Sequence, residues 1–264
     1  MQVIDHGSHL STTERFGLLV PAAGGALFGL LAFVFGSALA PLVGFPGNDA
    51  FIHRLAGAAA LGYIPALWVG FRRGEWVSLR LVVIATFVFN LGSLYGCLVQ
   101  ILSGNAPLVV YAILLASVAI IAITGAILLR HSASPRGAGD IPQLTVYTLG
   151  LGTALSFVFG IVPLVFPVQA GMLVGMKATD PFVYRQGAAA TFGYAIAGIL
   201  ALRSRAWNEM RLLILMGFIF NGLALIASLI ALVEREPLLL PVLVGAAALV
   251  NTLTAARALR RAGT

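Results

Sequence analysis

The chain carries one pattern twice, each time within a long apolar stretch. Residues 49–90 and 180–221 align without a gap at a constant offset of 131. The identical pairs at this offset include Asp49/Asp180, Phe51/Phe182, Arg54/Arg185, Gly62/Gly193, Tyr63/Tyr194, Arg72/Arg203, Trp76/Trp207, Arg80/Arg211, Phe89/Phe220 and Asn90/Asn221. The pattern predicts a duplicated module whose two copies have the same fold.

The composition indicates the class of protein. Of the 264 residues, 60% are hydrophobic and only 9% are charged, whereas about 25% of the residues in soluble domains are charged. Eight apolar segments have about the 20 residues that a helix needs to cross ~30 Å of hydrocarbon. They are 16–43, 51–71, 79–102, 108–130, 144–166, 182–202, 210–233 and 238–256. We therefore expect an all-α, polytopic membrane protein with eight transmembrane helices.

The repeat divides these helices into two groups of four. An even number of helices places both copies in the membrane in the same direction, so we expect two tandem, parallel-oriented four-helix repeats. The predicted parts are an N-terminal tail (1–15), a first repeat (16–130), a Gly-, Ser- and Pro-containing linker (131–142), a second repeat (143–256) and a C-terminal tail (257–264). The loop at 168–179 is longer than its counterpart and apolar. It fits a helix extension, a re-entrant element or a lid, and equally a contact with lipid or a neighbouring subunit.

The net charge of +7 is unevenly distributed. Sorted by alternate helix ends, one side carries Arg15, Arg72, Arg73, Arg80, Arg130, Arg136, Arg203, Arg205, Arg211, Arg257, Arg260 and Arg261, and the other carries Arg54, Lys177, Arg185 and Arg235. This bias predicts that both termini lie in the cytoplasm of a cell with a bacterial-type plasma membrane. No loop is long enough to form a basic domain, so we expect lipid and not nucleic acid as the partner of this charge.

Short-range patterns predict local structure. The N-terminal residues lack the basic start of a cleavable signal peptide, and Ser11 followed by Glu14 three residues later is typical of a capping box that opens the first helix. The small residues Gly25 and Gly29, with the runs 56–60 and 187–190, predict close helix packing. The single cysteine, Cys97, excludes an intramolecular disulfide and is expected to be a small apolar core residue.

Charged residues recur at the start of the second helix of each repeat. Asp49 and Asp180 stand where the N-caps of these helices should be, and Arg54 and Arg185 follow five residues later. We expect each Asp to cap its own helix and to pair with the nearby Arg. The alternative is a site in which Arg54 and Arg185 hold an anionic headgroup or ligand.

An asparagine recurs deep in the third helix of each repeat. Asn90 and Asn221 each lie ten residues beyond the arginine at the boundary, Arg80 or Arg211, which is about 15 Å along a helix. That depth is the bilayer midplane, where an amide needs a partner. We expect the two amides to clamp neighbouring helices, either through separate partners or by bonding each other. The alternative is a pair of groups that face one central ligand.

The residue types that are missing from the spans narrow the functional class. No acidic residue falls in the middle of a segment, so a coupled transporter is disfavoured, and no motif of a hydrolase, a P-loop or a zinc protease occurs. We predict no catalytic or metal-binding residues, and the sequence names no cofactor. The expected function is a non-catalytic accessory or scaffold subunit of a larger membrane assembly, or a homo-oligomer, that binds lipid or an apolar ligand. The alternatives are an uncoupled carrier or channel for a small neutral solute, with its path between the repeats, and a membrane-embedded lipid-processing enzyme.

Overall fold

A computed structural model describes residues 9–131, 141–235 and 239–261 of the chain. Within these ranges the chain is helical and forms no strand. The helices are α1 (Thr12–Gly17), α2 (Leu19–Phe35), α3 (Ala50–Arg73), α4 (Trp76–Leu102), α5 (Leu108–Arg130), α6 (Gln143–Val165), α7 (Pro167–Leu173), α8 (Pro181–Ser204), α9 (Trp207–Val233) and α10 (Leu239–Arg261). Most of the predicted linker, 131–142, lies outside the described residues.

Eight helical segments in the described part of the chain are long and apolar enough to cross a membrane, as predicted. The first comprises α1, α2 and a 3₁₀ turn at Gly36–Leu39, and the others are α3, α4, α5, α6, α8, α9 and α10. The predicted capping box is confirmed, because the Ser11 hydroxyl accepts from the Glu14 amide while the Glu14 carboxylate accepts from the Ser11 amide.

The first predicted helix, 16–43, is wrong at its end. The α-helix stops at Phe35, and two 3₁₀ turns, Gly36–Leu39 and Pro41–Val43, follow it. Gly36 has a φ of 53°, a conformation that residues with a Cβ rarely adopt, and the guanidinium of Arg54 packs against it. The helix therefore ends where the chain bends around the Arg54 side chain.

The helices form a central group of four and a periphery. The central helices are α3, α4, α8 and α9, and the most extensive contacts among them join α4 to α8 and α3 to α9, with lesser contacts within each half of the chain. The peripheral helices α2, α5, α6 and α10 pack on α3, α4, α8 and α9 respectively. The core is therefore built jointly by the two halves.

Small residues set the distance between these helices. On the peripheral side, a Cβ placed on Gly57 of α3 would lie 2.6 Å from the carbonyl oxygen of Gly29 on α2. At the centre, a Cβ on Gly187 of α8 would lie 3.1 Å from that of Ala56 on α3. The predicted close packing is thus found within the chain, and Cys97 is buried in the core as expected.

Candidate functional site

Two tyrosines lock the centre of the bundle. The hydroxyl of Tyr63 donates to the carbonyl oxygen of Ala190 at 2.8 Å, and the hydroxyl of Tyr194 donates to that of Ala59 at 3.1 Å. The two bonds are equivalent under the repeat. Adding 131 to Tyr63 gives Tyr194, and subtracting 131 from Ala190 gives Ala59. Each half of the chain thus gives the other half the same contact that it receives.

The glycine before each tyrosine makes room for the other tyrosine. A Cβ on Gly62 would lie 2.1 Å from the Tyr194 hydroxyl, and one on Gly193 would lie 2.4 Å from the Tyr63 hydroxyl. A larger residue at either position would therefore collide with the opposite half. The recurring Gly-Tyr pair therefore allows the two halves to pack closely against each other.

Asp49 makes its contacts in the second half of the chain. Its carboxylate accepts from the backbone amides of Lys177 and Ala178, at 2.9 and 2.8 Å, and from the Tyr184 hydroxyl at 3.0 Å. Asp49 is only 3% exposed, so these donors replace water around a buried carboxylate.

Asp180 makes two of the three exchanged contacts in the first half, because the position equivalent to Lys177 is Pro46, which has no amide hydrogen. Its carboxylate accepts from the backbone amide of Gly47 at 2.8 Å, and its Oδ2 lies 3.1 Å from Nε2 of His53. Gly47 and His53 occupy the positions equivalent to Ala178 and Tyr184. We call this end of the bundle the aspartate end.

The expected cap-and-pair arrangement of these aspartates is wrong. Asp49 and Asp180 are the N-cap residues of α3 and α8, but neither side chain bonds its own helix. Arg54 pairs with Glu234, at 2.6 and 2.8 Å, and not with Asp49. The carboxylates point across to the other half, where backbone amides and a phenol or imidazole supply their contacts.

The opposite end of the bundle, the arginine end, repeats the exchange in part. Arg80 forms an ion pair with Glu209, and Arg211 donates to Ser78, which is the position equivalent to Glu209, at 3.1 Å. Arg211 also pairs with Glu75. Both arginines, predicted to lie at a boundary, thus join the halves.

The two asparagines do not meet. The Asn90 amide donates to the carbonyl oxygen of Thr86 at 2.8 Å, and the Asn221 amide donates to that of Gly217 at 2.7 Å, each four residues back on its own helix. The expected clamp between helices is therefore wrong, and the alternative of one central ligand does not fit, because Asn90 and Asn221 line different cavities. A helix offers an amide side chain a local acceptor at this spacing, and each asparagine faces a separate cavity.

The larger cavity, which we call the second-half cavity, has a volume of about 550 Å³ and lies among α6, α8, α9 and α10. Its polar lining residues are Thr145, Thr148, Thr153, Ser156, Tyr184, Thr191, Tyr194, Asn221, Asn251 and Thr254. Of the residues that the structure describes, none that lines this cavity is charged. The remaining lining is aliphatic or aromatic, so the cavity suits an uncharged molecule.

A smaller cavity of about 260 Å³, the first-half cavity, occupies the equivalent place among α2, α3, α4 and α5. The lining residues that the offset of 131 relates in the two cavities include His53/Tyr184, Ala56/Gly187, Gly57/Ala188, Ala60/Thr191, Tyr63/Tyr194, Thr86/Gly217, Phe89/Phe220, Asn90/Asn221, Ser93/Ala224, Val109/Leu240, Ile113/Val244, Ala116/Ala247, Ser117/Ala248 and Ile120/Asn251. The two cavities thus share their wall positions and differ in volume.

A polar chain in the first-half cavity was not predicted from the sequence. The Ser117 hydroxyl donates to Ser93, and the Ser93 hydroxyl donates to the side-chain oxygen of Gln186 at 2.7 Å. These bonds connect α5, α4 and α8. Ala224 and Leu55 stand at the positions equivalent to Ser93 and Gln186, so a search for recurring residues could not find this chain.

The short helix α7 covers the aspartate end of the second-half cavity. It lies in the longer loop predicted at 168–179, and its residues Ala170 and Leu173 line the cavity. The opposite face carries the exposed side chain of Met172, and Gly171 packs against Tyr184. The loop is thus a helical cover with one apolar face turned outward.

The described residues contain no group of three or more His, Cys, Asp or Glu side chains placed to hold a metal ion. Comparison of the chain with protein-family models, curated proteins and solved structures found no match.

Proposed function

We propose that the chain is a non-catalytic membrane protein that binds a lipid or another uncharged apolar molecule in the second-half cavity. The observation that carries this proposal is a cavity of about 550 Å³ with no charged residue in its described lining. That volume lies within the range of about 300–1,000 Å³ that is usual for small-molecule sites.

The shape of the cavity favours an elongated ligand. Its lining runs along α6 from Thr145 to Pro163 and along α10 from Leu240 to Ala255, which corresponds to about 27 and 22 Å at 1.5 Å per residue. The hydrocarbon core of a bilayer is about 30 Å thick. α6 and α10 touch each other only sparsely, so a chain-like molecule could enter between them from the lipid.

The polar lining favours a ligand with a hydrogen-bonding group. Asn221 and Asn251 each donate one amide hydrogen to their own helix, and within the described part of the chain neither side-chain oxygen receives a hydrogen bond. A ligand hydroxyl or amide would satisfy such an oxygen in a site that water rarely reaches. The expected ligand therefore has an apolar body and at least one neutral donor.

The exchanged contacts support two tandem four-helix repeats related by a pseudo-two-fold axis. Tyr63 with Ala190, Asp49 with Ala178 and Arg80 with Glu209 each have a counterpart at the offset of 131. The charge bias supports insertion in a bacterial-type plasma membrane with both termini in the cytoplasm. A role as an accessory or scaffold subunit, or as a homo-oligomer, fits the exposed apolar face of α7.

A path for a solute along the centre is disfavoured by the packing there. Tyr63 is 3% exposed and Tyr194 is 7% exposed, and their ring centroids lie 4.8 Å apart. These rings fill the space that a central channel would need. The cavities flank the centre, which favours binding from the lipid side over conduction.

Two glycines of α9 offer a matched test of the proposal. Gly217 lines the second-half cavity, whereas Gly222 lines neither cavity, and a Cβ at either position meets no atom within 4 Å. Gly217→Leu would occupy the cavity, and Gly222→Leu is the control on the same helix. Each protein is purified gently, and its bound lipids, small molecules and protein subunits are identified by mass spectrometry.

We expect wild type and Gly222→Leu to retain the same apolar molecule and Gly217→Leu to lose it while remaining folded. Recovery of an identical set of lipids from all three proteins would contradict binding in the cavity. Protein subunits that co-purify with all three would test the accessory role separately, because the substituted cavity lies away from the exposed face of α7.

A further inference from the structure

The two arginines of the aspartate end have different surroundings. Arg54 and Arg185 occupy equivalent positions on α3 and α8. The Arg54 guanidinium makes two hydrogen bonds to the Glu234 carboxylate, at 2.6 and 2.8 Å, and its side chain is 11% exposed. This is the bidentate geometry in which a guanidinium binds a carboxylate most strongly.

Arg185 has no such partner within the described ranges. The position equivalent to Glu234 is Ser103, whose hydroxyl donates to the carbonyl oxygen of Gln100. The Nε of Arg185 is buried without a hydrogen bond to any described residue. The second copy of the repeat therefore has the arginine but lacks the glutamate that pairs with it in the first copy.

The nearby polar groups make their hydrogen bonds elsewhere. Asp180, five residues before Arg185, accepts from Gly47 and faces His53 through Oδ2, while its Oδ1 makes no hydrogen bond to any described residue. Gln186, the next residue, accepts from Ser93. Within the described part of the chain neither group is hydrogen-bonded to the Arg185 guanidinium.

The location of Arg185 gives a lipid or a soluble anion access to it. Its aliphatic stem lies over Gly96 of α4, where a Cβ would approach Arg185 Cβ at 3.3 Å. Tyr95, the residue before Gly96, is 41% exposed, so the surface is open next to this contact. Arg185 lines neither cavity and is half-buried on α8, so its head group can meet a ligand from outside the bundle.

We infer that Arg185 binds a phosphate group at the aspartate end of the bundle, supplied by the headgroup of an anionic phospholipid or by a soluble phosphate. A planar guanidinium presents paired N–H donors that match two phosphate oxygens. An arginine near the end of a membrane helix needs such a partner or access to the interface. This inference does not depend on a ligand in the second-half cavity.

The chain supplies its own control for the test. Wild type, Arg185→Gln, Arg185→Lys and Arg54→Gln are purified in mild detergent and titrated with dioleoyl phosphatidylglycerol, with dioleoylglycerol, which has the same acyl chains without the phosphate, and with inorganic phosphate. Native mass spectrometry counts the bound lipid, and thermal unfolding reports the stabilisation.

We expect phosphatidylglycerol, and not dioleoylglycerol, to bind and stabilise the wild type, and Arg185→Gln to weaken that binding by about tenfold, because it removes a charge-assisted hydrogen-bonding group. Arg185→Lys should retain part of the affinity. Arg54→Gln should be less stable without lipid, because it removes two hydrogen bonds to the Glu234 carboxylate, yet bind phosphatidylglycerol as the wild type does.

One further outcome would identify the source of the phosphate, and two others would overturn the inference. Stabilisation by inorganic phosphate that competes with the lipid would identify a soluble anion as the ligand. Equal lipid binding by wild type and Arg185→Gln would overturn the inference. So would an equal loss in Arg54→Gln, because it would reflect general damage to the aspartate end.

Discussion

The rings of Tyr63 and Tyr194 pack against each other at the centre of the bundle with their centroids 4.8 Å apart, and each hydroxyl bonds a backbone carbonyl of the opposite half. The glycine that precedes one tyrosine accommodates the hydroxyl of the other. The pair therefore couples the two halves through shape as well as through hydrogen bonds.

A Cβ at position 62 should be tolerated better when the opposing hydroxyl is absent. Gly62→Ala should destabilise the protein by about 1–3 kcal/mol through overpacking, and Tyr194→Phe by about 1 kcal/mol through the lost hydrogen bond. The double variant should lose less than the sum of the two, because the phenylalanine lacks the atom with which the new methyl group collides. Unfolding in a denaturing detergent measures all three, and Gly222→Ala, which meets no neighbour, should stay close to wild type. Strict additivity would contradict the geometry.

The two ion pairs of the arginine end should differ in their sensitivity to mutation. Glu209 is 1% exposed, so Arg80→Gln leaves a buried carboxylate without its partner and should cost about 3–5 kcal/mol. Glu75 is 43% exposed and can be hydrated, so Arg211→Gln should cost about 1 kcal/mol or less. Adding Glu209→Gln should rescue Arg80→Gln in thermal unfolding. Equal losses from the two arginine variants would mean that burial of the acid does not decide the cost.

The asparagines should act independently. Asn90→Leu and Asn221→Leu each remove a bond to a carbonyl of the same helix, so their effects on the free energy of unfolding should add to within about 0.5 kcal/mol. Measured coupling above that value would indicate a direct contact between the two side chains. Only Asn221→Leu should alter the molecule retained by the second-half cavity, because Asn90 lines the other one.

The proposed orientation can be tested by cysteine labelling. Cys97 is the single cysteine and is buried, so the native chain should give little background with a membrane-impermeant thiol reagent. A cysteine at Ser134, in the linker, should be labelled only after the cells are opened, whereas one placed within 170–175 should be labelled in intact cells. Labelling of the Ser134→Cys variant from outside would reverse the proposed topology.

The helices were more predictable than their contacts. The predicted segment 108–130 coincides with α5, Leu108–Arg130, because apolar length alone defines a helix of this kind. The segment 16–43 extended too far at its C-terminal end, because the bend at Gly36 lies against Arg54, which comes further along the chain. Local hydropathy carries no information about such a neighbour.

The repeat identified equivalent positions but not their partners. It singled out Asp49 and Asp180, which are both buried and hydrogen-bonded. The spacing of five residues suggested an Asp–Arg pair within each half. In the structure the aspartates bond across to the other half instead. Glu234 and Gln186 have no counterparts in the other half, so comparing the halves could not reveal their contacts. Partner choice is decided by tertiary packing, which an offset along the chain does not encode.

The exchanged contacts also set the order in which the chain can mature during its synthesis. Asp49, Tyr63 and Arg80 find partners 129, 127 and 129 residues later, so the ribosome has released the first four helices before those partners exist. Until then the carboxylate of Asp49, the phenol of Tyr63 and the guanidinium of Arg80 lack the hydrogen bonds that they make in the complete protein. The nascent first half is therefore an intermediate that depends on prompt arrival of the second, and a stop or delay between them would expose it to quality control.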